Sequence, residues 1–182
     1  MAKPNDKNKK KRILNAAQVQ SIFERFAREM SKRYGNLDQV VFIGVRTRGP
    51  YVAKRLAGII KKRHGKDIPI GEMDIALYRD DLNALLPGGA INHTRISFDI
   101  ANKIVVLFDD VLYTGRTVRA AVDHLIDLGR PRMIHLAVMI DRGGRELPIA
   151  ANYVGKKIHL SGSGDVQVRL KEIDKSDEVL IG

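Results

Sequence analysis

Residues 104–117 read Ile104-Val105-Val106-Leu107-Phe108-Asp109-Asp110-Val111-Leu112-Tyr113-Thr114-Gly115-Arg116-Thr117, and their order decides the fold. Ile104 to Phe108 is the strongest strand in the chain, an unbroken apolar run of the kind found where a parallel sheet is covered on both faces. It delivers two adjacent acids to a sheet edge. Thr114 to Thr117 then turns into a helix running to about Leu128, stopped by Gly129 and Pro131. Each part has a physical task. Carboxylates at a strand end can accept hydrogen bonds from the 2- and 3-hydroxyls of a ribose. The free N–H groups and positive dipole end of a helix N-terminus favour a phosphate. Gly115 permits close backbone approach and unusual φ/ψ, and the hydroxyls of Thr114 and Thr117 add donors. A sugar phosphate could thus be gripped by one continuous stretch.

Working outward, the same alternation recurs. Asn15 is a good N-cap with Gln18 three residues later, and Val19, Ile22, Phe23, Phe26 and Met30 follow at helical spacing up to Gly35. Val40 to Val45 is a second continuous apolar strand. The polar break Arg46-Thr47-Arg48-Gly49 leads to Pro50, suited to open a helix through about Lys62. Ile68 to Tyr78 alternates like a strand, and Met133 to Ile140 reads as another. From Arg79 to Asp99 there is no clean period, and Pro87, Gly88 and Gly89 sit in its middle, as in an active-site lid. Strands alternating with helices predict an α/β fold with a central, mostly parallel sheet flanked by helices on both faces. In such sheets ligands bind beyond the carboxyl ends of the strands, where both polar breaks fall.

The 182 residues fit one domain, expected over 13–182 after a basic, disordered tail at 1–12. Net charge is +11; the tail carries six basic side chains against Asp6, a net of +5, which leaves +6 for the rest. The folded body should therefore attract polyanions, whether substrate phosphates or nucleic acid. With no cysteine there is neither a disulfide framework nor a thiolate metal site, which suits a reducing cytoplasm. Histidines 64, 93, 124, 135 and 159 show no paired metal-ligand spacing. No apolar run reaches the ~20 residues of a membrane span.

The strand, the two acids and the Thr-Gly loop resemble the signature of type I phosphoribosyltransferases. Longer strings are similar to the PyrR family of pyrimidine-operon regulators and uracil phosphoribosyltransferases. These are Val45-Arg46-Thr47-Arg48-Gly49, Leu77-Tyr78-Arg79-Asp80-Asp81-Leu82, residues 109–119, and Asp141-Arg142-Gly143 through Arg145-Glu146-Leu147-Pro148-Ile149. The resemblance covers residues 13–180. It implies the type I phosphoribosyltransferase fold, with a small hood and a flexible lid loop. It also implies the reaction of uracil with 5-phosphoribosyl-1-pyrophosphate (PRPP) and Mg²⁺ to give UMP and pyrophosphate.

Residue by residue, the resemblance assigns Asp109 and Asp110 to the ribose hydroxyls and to Mg²⁺ through water, with Val111, Leu112, Tyr113, Thr114, Gly115, Arg116 and Thr117 completing the PRPP loop. Thr47, Arg48 and Gly49 become the pyrophosphate loop, where a strained, often cis, peptide exposes N–H groups and Arg48 supplies charge. Arg79 would close over the pyrophosphate from the lid. Arg142 and Val166 would lie near the base or pyrophosphate. Homodimers or higher assemblies are implied, as is sensing of UMP or UTP coupled to binding of pyrimidine-operon leader RNA. Arg25, Arg28, Arg145 and Lys156 are candidates for the RNA face, while Glu24, Gly144 and Ala150 depart from the neutral or basic residues expected there. A purine-base phosphoribosyltransferase, and a regulator with little catalytic activity, are the alternatives.

Overall fold

The computed structural model describes residues 10–75, 94–160 and 164–182. Five parallel strands form the central sheet: β2 (Val40–Val45), β3 (Ile70–Met73), β4 (Ile104–Leu112), β5 (Met133–Asp141) and β6 (Tyr153–Lys157), in the order β3-β2-β4-β5-β6. From β2 the chain crosses to β3 on one side. It then returns to β4 on the other and continues outward to β5 and β6. The connections after the adjacent strands β2 and β4 therefore leave in opposite directions, which opens a crevice at their carboxyl ends.

Side-chain alternation along these strands feeds two cores. Val40, Phe42, Val106 and Phe108 pack with Phe23, Phe26 and Met30 of α1 (Ala16–Tyr34) and Val52, Leu56 and Ile60 of α2 (Gly49–His64). Val41, Ile43, Val105 and Leu107 pack on the other face with Val118, Ala121 and Leu125 of α3 (Arg116–Leu128). Burial on both faces is why the strands read as continuous apolar runs. The α1 boundaries are those the sequence predicts. Asn15 and Gln18 form a reciprocal capping box, and Gly35 ends the helix at φ 61°.

Some elements depart from expectation. Lys11 and Arg12, placed by the sequence in the tail, belong to β1 (Lys11–Leu14), which pairs antiparallel with β8 (Glu178–Ile181); β8 in turn pairs with β7 (Val166–Arg169). This three-stranded sheet is the hood, and a short helix, α4 (Lys171–Asp174), leads from β7 toward β8. The expected strand 68–78 is confined to β3 among the described residues, and Tyr78 lies outside them. So do residues 79–93 of the expected lid. Its end is tied to β3, since Glu72 and Arg95 exchange backbone hydrogen bonds at 3.0 and 2.7 Å.

At the far end of the sheet from the crevice, three rings join α1 to β5 and β6. The Tyr34 hydroxyl lies 2.7 Å from His135 Nδ1 and 3.0 Å from the Tyr153 hydroxyl. Burial, then the nearby Arg33 charge, lowers the His135 pKa below the ordinary histidine value, and burial likewise lowers that of His124. The folded state therefore binds fewer protons than the unfolded one, so stability is full above the unfolded histidine pKa of about 6.5 and declines as pH falls below it. We expect the urea midpoint to drop between pH 7.5 and pH 5.5, and His135→Asn to reduce that drop. A midpoint independent of pH over this range would contradict the assignment.

Candidate functional site

The sheet crevice is built first by one close contact. A Cβ on Gly49 would sit 2.3 Å from the Phe108 carbonyl oxygen, so only glycine lets the start of α2 lie directly against β4. This contact brings the 46–49 turn beside the two acids. The Arg46–Thr47 peptide is cis, and the Arg46 N–H donates to the Met73 carbonyl at 2.9 Å.

Strand β4 does not stop at Phe108. Pairing with β5 continues through Asp109 opposite Val138, Val111 opposite Ile140 and Leu112 opposite Asp141, so the acids sit on the strand rather than after it. The Asp110 N–H donates to Asp109 Oδ1 at 2.9 Å and the Val111 N–H to Asp110 Oδ1 at 3.0 Å, which fixes both side chains. Burial raises the Asp110 pKa, and the Arg48 guanidinium works against that rise. The positively charged Arg48 thus lies within electrostatic reach of the acid pair.

Beyond Leu112 the chain turns at Gly115, the N-cap of α3, with φ 95°. No side chain caps the helix start in the usual way and no acid stands in its first turn; Thr114 Oγ1 accepts from the Arg116 N–H at 3.3 Å. The amides face a cleft of about 410 Å³ lined by Asp109, residues 111–118 and Glu146. Uncapped N–H groups, a positive helix end and open space are the features by which a helix start can receive a phosphate group. Arg116 Nε binds Glu146 at 2.6 Å across its mouth.

The loop keeps its shape through a residue assigned elsewhere by sequence. Arg145 donates to the carbonyls of Leu112 (3.3 Å), Tyr113 (2.7 Å), Gly143 (3.3 Å) and Ile149 (3.0 Å), and pairs with Asp141 at 2.6 Å. Burial opposes ionisation of Asp141, yet Arg145 and the Gly143 N–H hold its pKa below the ordinary carboxylate value. Arg145 is therefore a clamp on the loop, not part of a free RNA face. Arg25 is similarly engaged, donating to the Val154 and Gly155 carbonyls at 2.9 and 2.8 Å. Arg28 and Lys156 are exposed.

Of the other expected site residues, Arg142 does not line the cleft itself; it is buried behind it, its guanidinium carbon 3.9 Å from the ring centroid of Tyr113, which does. Val166 does not line the cleft; it lies in the apolar cluster shared with α1 and β8. Arg79 lies outside the described residues. Sequence reasoning missed Glu146 as a partner of Arg116. It also missed Asp174, whose Oδ1 accepts from Arg48 at 3.0 Å across 126 residues of chain.

The chain matches the model of the phosphoribosyl transferase domain over residues 10–172. It is 51% identical over 171 residues to the bifunctional protein PyrR of Chloroflexus aurantiacus, covering 94% of each chain. It is 49% identical over 172 residues to that of Pelotomaculum thermopropionicum, covering 94% of this chain and 95% of the relative. Among solved structures, a hypoxanthine phosphoribosyltransferase from Staphylococcus aureus superposes with a TM-score of 0.70 at 20% identity, covering 98% of this chain and 96% of the other. That likeness concerns the fold.

Because several carbonyls converge on one guanidinium, Arg145→Met should lower stability by about 2–3 kcal/mol in urea unfolding. It should also weaken binding of inorganic phosphate at the loop. Unchanged stability would refute the clamp.

Proposed function

The chain belongs to the phosphoribosyl transferase domain family and, within it, to the PyrR proteins, and from that premise we propose a uracil phosphoribosyltransferase that also binds pyrimidine-operon leader RNA. The observation that carries the catalytic reading is the cleft at the β4–α3 junction, lined by Asp109 and an uncapped helix start, with Asp110 next on the strand and within electrostatic reach of Arg48.

In this reading the 5-phosphate of PRPP lies on the amides of residues 114–117, and Asp109 and Asp110 accept from the ribose hydroxyls. The pyrophosphate lies toward Thr47, Arg48 and Gly49, with Arg79 closing from the lid segment and Arg142 beside Tyr113 near the base. The bond from the ribose C1 to the pyrophosphate oxygen breaks, and a bond from C1 to uracil N1 forms as the N1 proton leaves. Positive charge grows on the ribose between these events. The residues contribute position and charge: the acids hold the sugar in line, and Arg48 offsets charge on the departing pyrophosphate. Two adjacent carboxylates suit Mg²⁺, a hard cation that keeps several waters and takes further oxygens from phosphates. Bound there, it would neutralise pyrophosphate charge. Among the described residues no group of three or more His, Cys, Asp or Glu side chains could hold a metal, so an ion at the acid pair would take its remaining oxygens from substrate and water.

The RNA reading draws on a separate observation. Arg28, Ser31, Lys32, Arg63 and His64 line a basic cleft of about 410 Å³ between α1 and α2. Glu24, an acid where a neutral or basic residue was expected, is neutralised beside it by an ion pair with Arg63 and accepts from Gln20 at 2.9 Å. The cleft supports a path for a phosphodiester backbone despite the use of Arg25 and Arg145 elsewhere. No helix among the described residues is long and apolar enough to cross a membrane.

Incubation with PRPP, Mg²⁺ and each of uracil, hypoxanthine, guanine and orotate should yield product with uracil; turnover of a purine but not of uracil would sink the assignment. The Asp109→Asn, Asp110→Asn double variant should lose about 100-fold or more in turnover. It should stay folded, because asparagine still accepts from the same amides.

Gel shifts with operon leader RNA should show UMP-strengthened binding that weakens steeply between 50 and about 200 mM salt. Arg28→Gln with Lys32→Gln should weaken it without touching uracil turnover. Binding indifferent to both UMP and that double change would leave the enzyme alone.

A further inference from the structure

Arg48 and Arg55 stand seven residues apart, two helical turns, so both look out from one side of α2 toward the hood. Arg48 grips α4, and Arg55 grips both α4 and the segment that joins it to β8. Arg55 pairs with Glu172 and, at 2.9 Å, with Asp177, and its guanidinium lies over the Phe23 ring at 4.9 Å. Asp177 Oδ1 also accepts from the Lys171 N–H at 2.9 Å. Arg48 Nη2 donates to Asp174 Oδ1 at 3.0 Å, while Asp174 Oδ2 accepts from the Leu170 N–H at 3.0 Å. Both oxygens of Asp174 are thus engaged, and its carboxylate is an immobile anchor.

The two arginines differ in what remains. Arg55 is nearly buried, its charge met by two carboxylates and its face by an aromatic ring, as a structural arginine would be. Arg48 Nε is buried and has no hydrogen-bond acceptor among the described residues. A buried donor without an acceptor is destabilising. The Arg48 side chain as a whole remains 31% exposed, so donors other than Nε, on the turn beside the acid pair, are placed to receive an anionic ligand oxygen. Leaving Nε unmet only to build an ion pair would be wasteful, because an Arg–Asp contact of this exposure contributes little by itself.

We infer that Asp174 is a positioning residue for the phosphoribosyl donor: it pins the Arg48 guanidinium so that the remaining donors meet the pyrophosphate oxygens on the 46–49 turn. The inference rests on the PRPP reading above. It makes the hood part of the donor site, because α4 supplies the anchor while β2 and α2 supply the guanidinium. A pinned guanidinium loses less rotamer freedom when the ligand arrives, so its effect falls on donor affinity rather than on the base.

Steady-state kinetics of the full chain with PRPP, uracil and Mg²⁺ test this, alongside thermal unfolding of each variant. Asp174→Asn keeps an acceptor for the Leu170 amide but removes the charge that holds Arg48. It should raise the PRPP KM about tenfold, the effect of one charge-assisted hydrogen bond, with the uracil KM unchanged and kcat within about twofold. Asp174→Glu should recover part of that loss. Glu172→Gln weakens the neighbouring anchor at Arg55, so it should lower the unfolding temperature and leave the PRPP KM as it was. An unaltered PRPP KM in Asp174→Asn, or an equal rise in Glu172→Gln, would overturn the inference while the wild type still used PRPP normally. A wild type that neither binds PRPP in calorimetry nor turns it over would instead remove the reading beneath it.

Discussion

The contact of Gly49 with the Phe108 carbonyl is the constraint from which the site follows. Strands β2 and β4 are neighbours whose connections diverge, and such a crevice functions only if both exits are held close together. A glycine at the first residue of α2 allows the helix to start in contact with β4. Its position brings Arg48 within reach of Asp110 and sets the 46–49 turn facing the acids. A side chain there would force the exits apart and separate the two halves of the crevice, even if each strand and helix formed unchanged.

The parts of this arrangement that could be read from sequence are those whose cause is local. Strands β2, β4 and β5 announce themselves by unbroken apolar runs because both faces are covered, and α1 by a capping box four residues long. Gly115 at positive φ opening α3 is also a local matter. What escaped notice depends on partners distant in the chain. β1 is a strand only because Lys11 finds Ile181, and nothing in a lysine-rich tail signals that pairing. β4 runs on to Leu112 because β5 continues to pair with it, although acids interrupt its apolar pattern. Asp174 had no local signal at all, since its meaning is Arg48. The type and spacing of a basic residue do not tell whether it faces solvent or clamps a loop, as Arg145 does.

A chain with 32 basic side chains does not thereby hold 32 charges free for a polyanion. Arg25, Arg55 and Arg145 each meet several oxygens at once: two carbonyls, two carboxylates, and four carbonyls with a carboxylate. The planar guanidinium with five donors suits such sites, and lysine could not replace it there. These charges are consumed in holding loops and helices together, so net charge overstates what is available to a polyanion. One cluster that remains open to solvent lies on the α1–α2 cleft, at Arg28 and Lys32.

The division has a consequence for the chemistry. At the β4–α3 junction the candidate phosphate receptor is made mainly of backbone amides and a helix dipole, and Arg116, the one arginine that lines it among the described residues, is paired with Glu146. Amides fixed by the fold need no reorganisation to meet a phosphate, and they cannot be drawn away to another anion as a mobile lysine can. A site so built selects for an anion that fits its geometry, whereas a cationic cleft of exposed side chains selects for charge density and is screened by salt. One small fold can therefore carry a receptor for a sugar phosphate and a surface for a polyphosphate chain without the second competing for the first, because the two recognise phosphate by different physics.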